Sequence, residues 1–239
     1  MTRRLLIINP NTSADITGAV ASLVAQASPP DVAVQAVTAR FGAPYIASEA
    51  SYAVAAHATL DAWRHATQGQ ADGAAGGPDG IVIGCFGDPG LHALRELAGC
   101  PVTSLAEAAV AEAARHGRCA IVTGGHAWKP MLQRLLPALA WGEQVQDIET
   151  VELSGVQLRA NPVAAQDLLV AACQRVLARR PVEAIIIGGA GLAGMAAAMQ
   201  ARVPVPLIDS VAAAARWVWQ AEPSASQGSP AWLDWVAAA

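Results

Sequence analysis

Charge is scarce in this chain. Asp, Glu, Lys and Arg make up 14% of its 239 residues, the net charge is −4, and no stripe of lysine and arginine runs along any segment. Nucleic acid and anionic membrane surfaces are therefore not expected as partners, and a small neutral or anionic molecule is. Long apolar runs are missing too. Residues such as Asn9, Arg40 and Asp79 interrupt each hydrophobic stretch before the roughly 18 residues that a membrane helix requires. The opening MTRRLLIINPNTS has too short an apolar stretch for a signal peptide, so it reads as the first strand of a cytoplasmic protein. The four cysteines, Cys85, Cys100, Cys119 and Cys173, lack CxxC and Cys/His spacings. That argues against a zinc site and a disulfide framework, and fits free thiols in a reducing compartment.

What is abundant is apolar: 54% of the residues are hydrophobic, which places the chain among globular proteins. Short runs rich in valine and isoleucine alternate with longer alanine-rich stretches, the pattern of βα units around a parallel sheet. Strands are expected at 4–8, 32–38, 80–84, 101–104, 119–123, 148–153, 184–188 and 205–208. Long helices are expected near 13–27, 48–68 (with Ser48 as N-cap), 105–116, 163–179 and 210–221. The glycine-rich segment 69–80 reads as a flexible surface connection.

The chain also repeats itself loosely. DGIVIGCFGDPGLHALREL followed by CPVTSLAEAAV is echoed by EAIIIGGAGLAGMAAAM followed by VPLIDSVAAAA, pairing position 85 with 189 and Pro101 with Pro206. RLLIINPNTS likewise pairs with RCAIVTGGHAW, Asn9 with Thr123. The fold class expected is α/β, with two lobes related by a pseudo-twofold, each a parallel sheet flanked by helices. Residues 1–104 with about 210–239 form one lobe and 105–209 the other. Loops at the carboxyl ends of neighbouring parallel strands then face one another across a cleft, with Cys85 on one side and Gly189 on the other.

A cysteine directly after a strand and before a glycine-rich turn into a helix sits beside backbone N–H groups and the positive end of a helix dipole, both of which favour thiolate. The same N–H groups can hold a carboxylate or enolate oxygen. That combination suits removal of a proton α to a carbonyl, or nucleophilic attack. Cys100, Cys119 and Cys173 have no comparable context and read as core thiols.

INPNTS (8–13), GCFGDPGLHALREL (84–97) and the paired layout ending in VPLIDSV (205–211) closely resemble the hydantoin/allantoin racemase branch of the Asp/Glu racemase superfamily. The resemblance implies an active site between two α/β lobes, with no metal and no organic cofactor. It also implies two cysteines flanking the substrate α-carbon, one thiolate removing the proton while the opposite thiol returns one. The first maps onto Cys85. The second ordinarily lies in Gly-Cys-Ala-Gly, where this chain has Gly188, Gly189, Ala190 and Gly191. Gly189 thus stands where half of a two-base mechanism would be.

His126, in TGGHAW, is the substitute acid expected on the far side, given its near-neutral pKa. Asp88 and Asp209 read as loop-fixing or capping residues. Asn9, Asn11 and Thr12, with Thr123 and Gly124 opposite, are expected to offer donors to substrate oxygens, with Asn11 or Ser13 also able to cap the first helix. Phe86 and Gly87 add backbone donors, Ala190 is also expected among the substrate-binding residues, and Tyr45 with Ile46 shapes a side-chain pocket. Four of the seven tryptophans, Trp217, Trp219, Trp232 and Trp235, lie near the C-terminus, where a contact in a homo-oligomer is expected. The function expected is a cofactor-independent racemase of hydantoin/allantoin or amino-acid type. The alternatives are a single-cysteine decarboxylase or isomerase of the same superfamily, or a non-catalytic binder of small molecules carrying a carbonyl or carboxylate.

Overall fold

Two apolar runs, Gly80–Ile83 and Ala184–Gly188, are buried along their whole length, and each occupies the inside of a four-stranded parallel sheet. Strands covered on both faces need no alternation, which is why these runs are continuously apolar. The computed structural model describes residues 2–68 and 77–221.

The first sheet is built from β1 (Arg3–Asn9), β2 (Val32–Thr38), β3 (Gly80–Ile83) and β4 (Val102–Ser104), in the order β2-β1-β3-β4. The second uses β5 (Cys119–Gly124), β6 (Val145–Val151), β7 (Ala184–Gly188) and β8 (Leu207–Asp209), in the order β6-β5-β7-β8. The orders are the same pattern applied twice. Register agrees: Ile8 pairs with Ile83 in one sheet and Val122 with Ile187 in the other, so Asn9 and Thr123, each one residue on, hold equivalent places.

Nine helices join these strands among the described residues: α1 (Ala14–Ala27), α2 (Glu49–Thr67), α3 (Leu91–Ala98), α4 (Leu105–Ala114), α5 (Trp128–Leu135), α6 (Gly155–Ala160), α7 (Pro162–Arg179), α8 (Met195–Met199) and α9 (Ser210–Trp217). Ser48 caps α2 in a reciprocal arrangement with Ser51. Helix α4 leaves the first sheet and packs against β7 and β5 of the second, while α9 leaves the second and packs against α1 of the first. The two exchanged helices also pack on each other. Seven of the ten α4 residues are buried, most of them alanines small enough to let sheets and helices approach from all sides.

Several boundaries differ from the expectations. Strand β6 starts at Val145 rather than 148, and β8 spans Leu207–Asp209 rather than 205–208. Helix α9 ends at Trp217 and gives way to turns. The short helices α3, α5, α6 and α8 were not among those expected. Most of the segment 69–80, and Trp232 and Trp235, lie outside the described residues. Trp217 and Trp219 pack on their own chain: Trp217 meets Trp141 edge-on at 5.5 Å, and the Arg3 guanidinium lies 4.3 Å over Trp219. No helix among the described residues is long and apolar enough to cross a membrane.

Candidate active site

In each sheet the strand order reverses direction beside β1 or β5, so the chain leaves neighbouring strands toward opposite sides and a crevice opens at their carboxyl ends. The two crevices merge into one cavity with about 510 Å³ of empty space, part of it open to solvent. The first half contributes Asn11 and Ile16 after β1, Tyr45 and Ile46 before α2, and Gly84, Cys85 and Phe86 after β3. The second contributes Thr123, Gly124 and Trp128, the start of α6 (Gly155, Val156), and the turn from Gly188 to Leu192. No Lys, Arg, His, Asp or Glu side chain among the described residues lines it. Among the described residues no three His, Cys, Asp or Glu come together as a metal site.

The Cys85 loop is held from beneath. The Ser104 hydroxyl lies 3.1 Å from the carbonyls of both Ile83 and Cys85, to which it donates. Asp88 adopts a left-handed backbone (φ 55°), and its buried carboxylate accepts the N–H groups of Ala106 and Glu107 at 3.0 and 2.9 Å, capping α4. Burial pushes the Asp88 carboxyl up to about 7, against the pull of these hydrogen bonds.

Cys85 is 6% exposed, and burial pushes its thiol up to about 12. The N–H groups of Gly87 and Phe86 favour the anion, and the nearby Asp88 carboxylate opposes it. Burial thus works against the thiolate that the loop's N–H groups favour. Helix α3 begins only at Leu91, beyond the turn that follows Cys85, and a helix dipole is weak outside its first turn.

Across the cavity the second loop solves the same support problem with different residues. Asp209 caps α9 through the N–H groups of Val211 and Ala212 and also accepts the Gly194 N–H at 2.7 Å. Ser210 accepts the Gly189 N–H at 3.2 Å. Gly189 has φ 130° and ψ 138°, a conformation essentially confined to glycine, whereas Cys85 is not among the residues with positive φ. The N–H groups of Ala190 and Gly191 find no acceptor among the described residues.

The walls are aromatic. Phe86 reaches from the first half to lie on Gly188, where an added Cβ would stand 2.3 Å from the ring. The Tyr45 hydroxyl donates to the Gly124 carbonyl at 3.4 Å and accepts the Gly155 N–H at 3.5 Å, tying the halves together. Burial raises its pKa, so the phenol keeps its proton.

Of the residues singled out from sequence, Cys85, Gly189, Asn11, Tyr45, Phe86, Thr123, Gly124 and Ala190 come together in the lining; Asn9, Thr12, Gly87 and His126 do not. Asn9 is fully buried and its amide is spent on Asn11, Ser13 and Thr17, so it braces the first loop rather than offering a donor. Asn11 keeps its own amide nitrogen for the cavity, since only its oxygen is engaged. Thr12 donates its N–H to Ala43, and Gly87 lies beneath Trp128 and Tyr52. His126 lies outside the lining, its ring exposed and turned to Thr150 Oγ1 at 2.9 Å. Trp128, two residues on and 6% exposed, is the member of TGGHAW that enters the wall. Trp128, Ile16, Gly155 and Val156 escaped the sequence reading. Only the aromatic in TGGHAW and the Ser154–Gln157 capping box before α6 could have pointed to them.

With the site described, its relatives can be placed. The Asp/Glu/hydantoin racemase family pattern matches residues 5–218. A hydantoin racemase of Pseudomonas sp. (strain NS671) is 29% identical over 215 residues, 90% of this chain and 84% of that protein. The allantoin racemase from Klebsiella pneumoniae superposes with a TM-score of 0.83 at 33% identity, over 91% of this chain and 86% of that one. A glycine-to-cysteine mutant of arylmalonate decarboxylase shares the fold, with a TM-score of 0.62 at 17% identity over 94% and 98% of the two chains. Sheet order, cleft and near full-length match agree: the chain belongs to the Asp/Glu/hydantoin racemase family, whose hydantoin and allantoin racemases are isomerases.

Proposed function

We propose that this chain is a cofactor-independent racemase acting on the acidic carbon α to a carbonyl in an uncharged ring of the hydantoin type, with Cys85 as the acid/base on one face. The observation that carries the reading is a cavity holding a single thiol, unpaired backbone N–H groups and no charged side chain. A neutral cyclic substrate can enter it without desolvating an unpaired charge. Enolate charge that develops on a ring oxygen meets N–H donors already in place, Ala190 and Gly191 on one side and the Asn11 amide on the other. Cys85 loses its proton to solvent before the ring closes the cavity, and the Gly87 and Phe86 N–H groups support the anion. The lobe division we propose, 1–104 with about 210–239 against 105–209, follows the exchanged helices α4 and α9.

Gly189 favours one alternative: a single thiol also suits protonation of an enediolate after decarboxylation. A malonate dianion would have to enter a cavity without one cationic side chain, which weighs against it. The deciding experiment follows proton NMR of an enantiopure 5-substituted hydantoin in deuterated water beside polarimetry, with non-enzymatic exchange subtracted. The expected result is enzyme-dependent exchange of the α-proton, abolished in Cys85→Ala. Exchange surviving in that variant defeats the assignment of Cys85, and carbon dioxide release from an arylmalonate without hydantoin exchange selects the lyase.

A further inference from the structure

The cavity wall carries no side chain at Gly189, and a methyl-sized group would fit there without displacing a neighbour. A Cβ placed at Gly189 finds its nearest atoms at 3.8 Å, Thr123 Oγ1, and 3.9 Å, Leu192. Thr123 is 4% exposed and lines the cavity, yet its hydroxyl has no hydrogen-bond partner among the described residues. The residue is buried but its hydroxyl opens on the cavity beside the bare Gly189 position, where a methyl-sized group would fit at ordinary contact distance, so a small hydrogen-bonding occupant can reach it there. The register gives Thr123 the place that Asn9 holds in the first half. Asn9 there is consumed by three side-chain and backbone acceptors, whereas Thr123 is left facing the cleft.

Resting on the function proposed above, we infer that Thr123 positions a water molecule beside Gly189, and that this water exchanges the proton on the face opposite Cys85. In one direction the Cys85 thiolate takes the α-proton and becomes a thiol, while the water gives a proton to the other face of the carbanion. The new C–H bond leaves hydroxide, held by the Thr123 O–H and the Ala190 and Gly191 N–H groups. After release, the hydroxide recovers a proton from the Cys85 thiol through solvent, restoring thiolate and water. In the other direction hydroxide removes the proton and the thiol supplies one. Thr123 is a positioning residue, and the role expected of it from sequence, a donor to the substrate itself, makes a different prediction.

Each enantiomer of a 5-substituted hydantoin is followed separately in deuterated water with the wild type, Thr123→Val and Thr123→Ser, by NMR for exchange and polarimetry for inversion. The wild type is expected to exchange and invert both. In Thr123→Val, inversion falls at least tenfold, while the enantiomer whose proton faces Cys85 still exchanges within twofold of wild type and keeps its configuration. Thr123→Ser restores inversion to within threefold. An equal fall of exchange and inversion in Thr123→Val overturns the inference in favour of a substrate donor, as does inversion unaffected by that substitution. Wild-type exchange with retained configuration overturns it while leaving Cys85 in its role. Absence of wild-type exchange defeats the proposed function and this inference with it.

Discussion

Cys85 combines two properties that rarely serve one residue: it faces a ligand-sized cavity, and its burial holds the thiol up to about 12. A thiol raised that far is mainly protonated at pH 7. Thiolate is the nucleophile, so alkylation of Cys85 by iodoacetamide in the ligand-free protein should rise about tenfold per pH unit with no plateau below about pH 10. Peptide mass mapping across that range checks it, and a plateau near pH 7 would show a preformed thiolate. Gly189 sets a different limit. Its φ of 130° means that Gly189→Ala meets a backbone it cannot adopt rather than a crowded site, for a cost of about 1–3 kcal/mol in urea unfolding.

The two loops that line the cavity are turned and held by single carboxylates placed differently in each half. Asp88 sits within its loop and reaches down to cap α4; Asp209 sits at a strand end, caps α9 and reaches up to the loop at Gly194. Asp88→Ala should cost about 2 kcal/mol by denaturant unfolding, since it removes a cap and places alanine in a left-handed conformation. Asp88→Asn should cost under half as much, because asparagine tolerates that backbone and keeps an acceptor. Gly188 is an element-scale constraint of another kind. Gly188→Ala drives a methyl into the Phe86 ring and should destabilise by about 1–3 kcal/mol, with Phe86→Ala relieving part of the loss in a double-mutant cycle.

These elements also show which features could be read from sequence. The inner strands were legible because burial on both faces writes a continuous β-branched run, and the long helices because several turns share one period. Helices α3, α5, α6 and α8, at five to eight residues, have too few turns to register. Cys85 and Gly189 were legible through the repeat. His126 lies outside the lining because a residue just past a strand can turn to either side, and here Trp128 turns in instead. Asn9 was misread because its local acceptors, two to eight positions away, compete for its amide before any ligand does. Gly155 and Val156 reach the site only through tertiary packing, which leaves no local signature.

At the scale of the whole molecule the halves share a large core cluster, beside a second cluster that belongs to the second half alone. The shared cluster holds Ile7 and Ile81 of the first sheet with Ile121 and Ile186 of the second, and Arg134 of α5 grips Glu49 of α2 across the surface at 3.0 and 2.9 Å. Urea unfolding should therefore be one transition, with the same midpoint by far-ultraviolet circular dichroism and by tryptophan fluorescence. Separate midpoints would show that each half holds together alone. Arg134→Ala, which breaks an exposed pair, should shift that midpoint by under about 1 kcal/mol.

Each sheet is covered in part by a helix that the chain brings over from the other. Viewed as two consecutive half-chains, β1 to α4 and β5 to α9 are the protomers of a domain-swapped dimer fused end to end: each lends its final helix and borrows its partner's. Expressed separately, the half-chains should not persist as monomers with bare sheet faces, but they carry what they need to find one another. The cleft at which Cys85 faces Gly189 is then a subunit interface enclosed within one polypeptide.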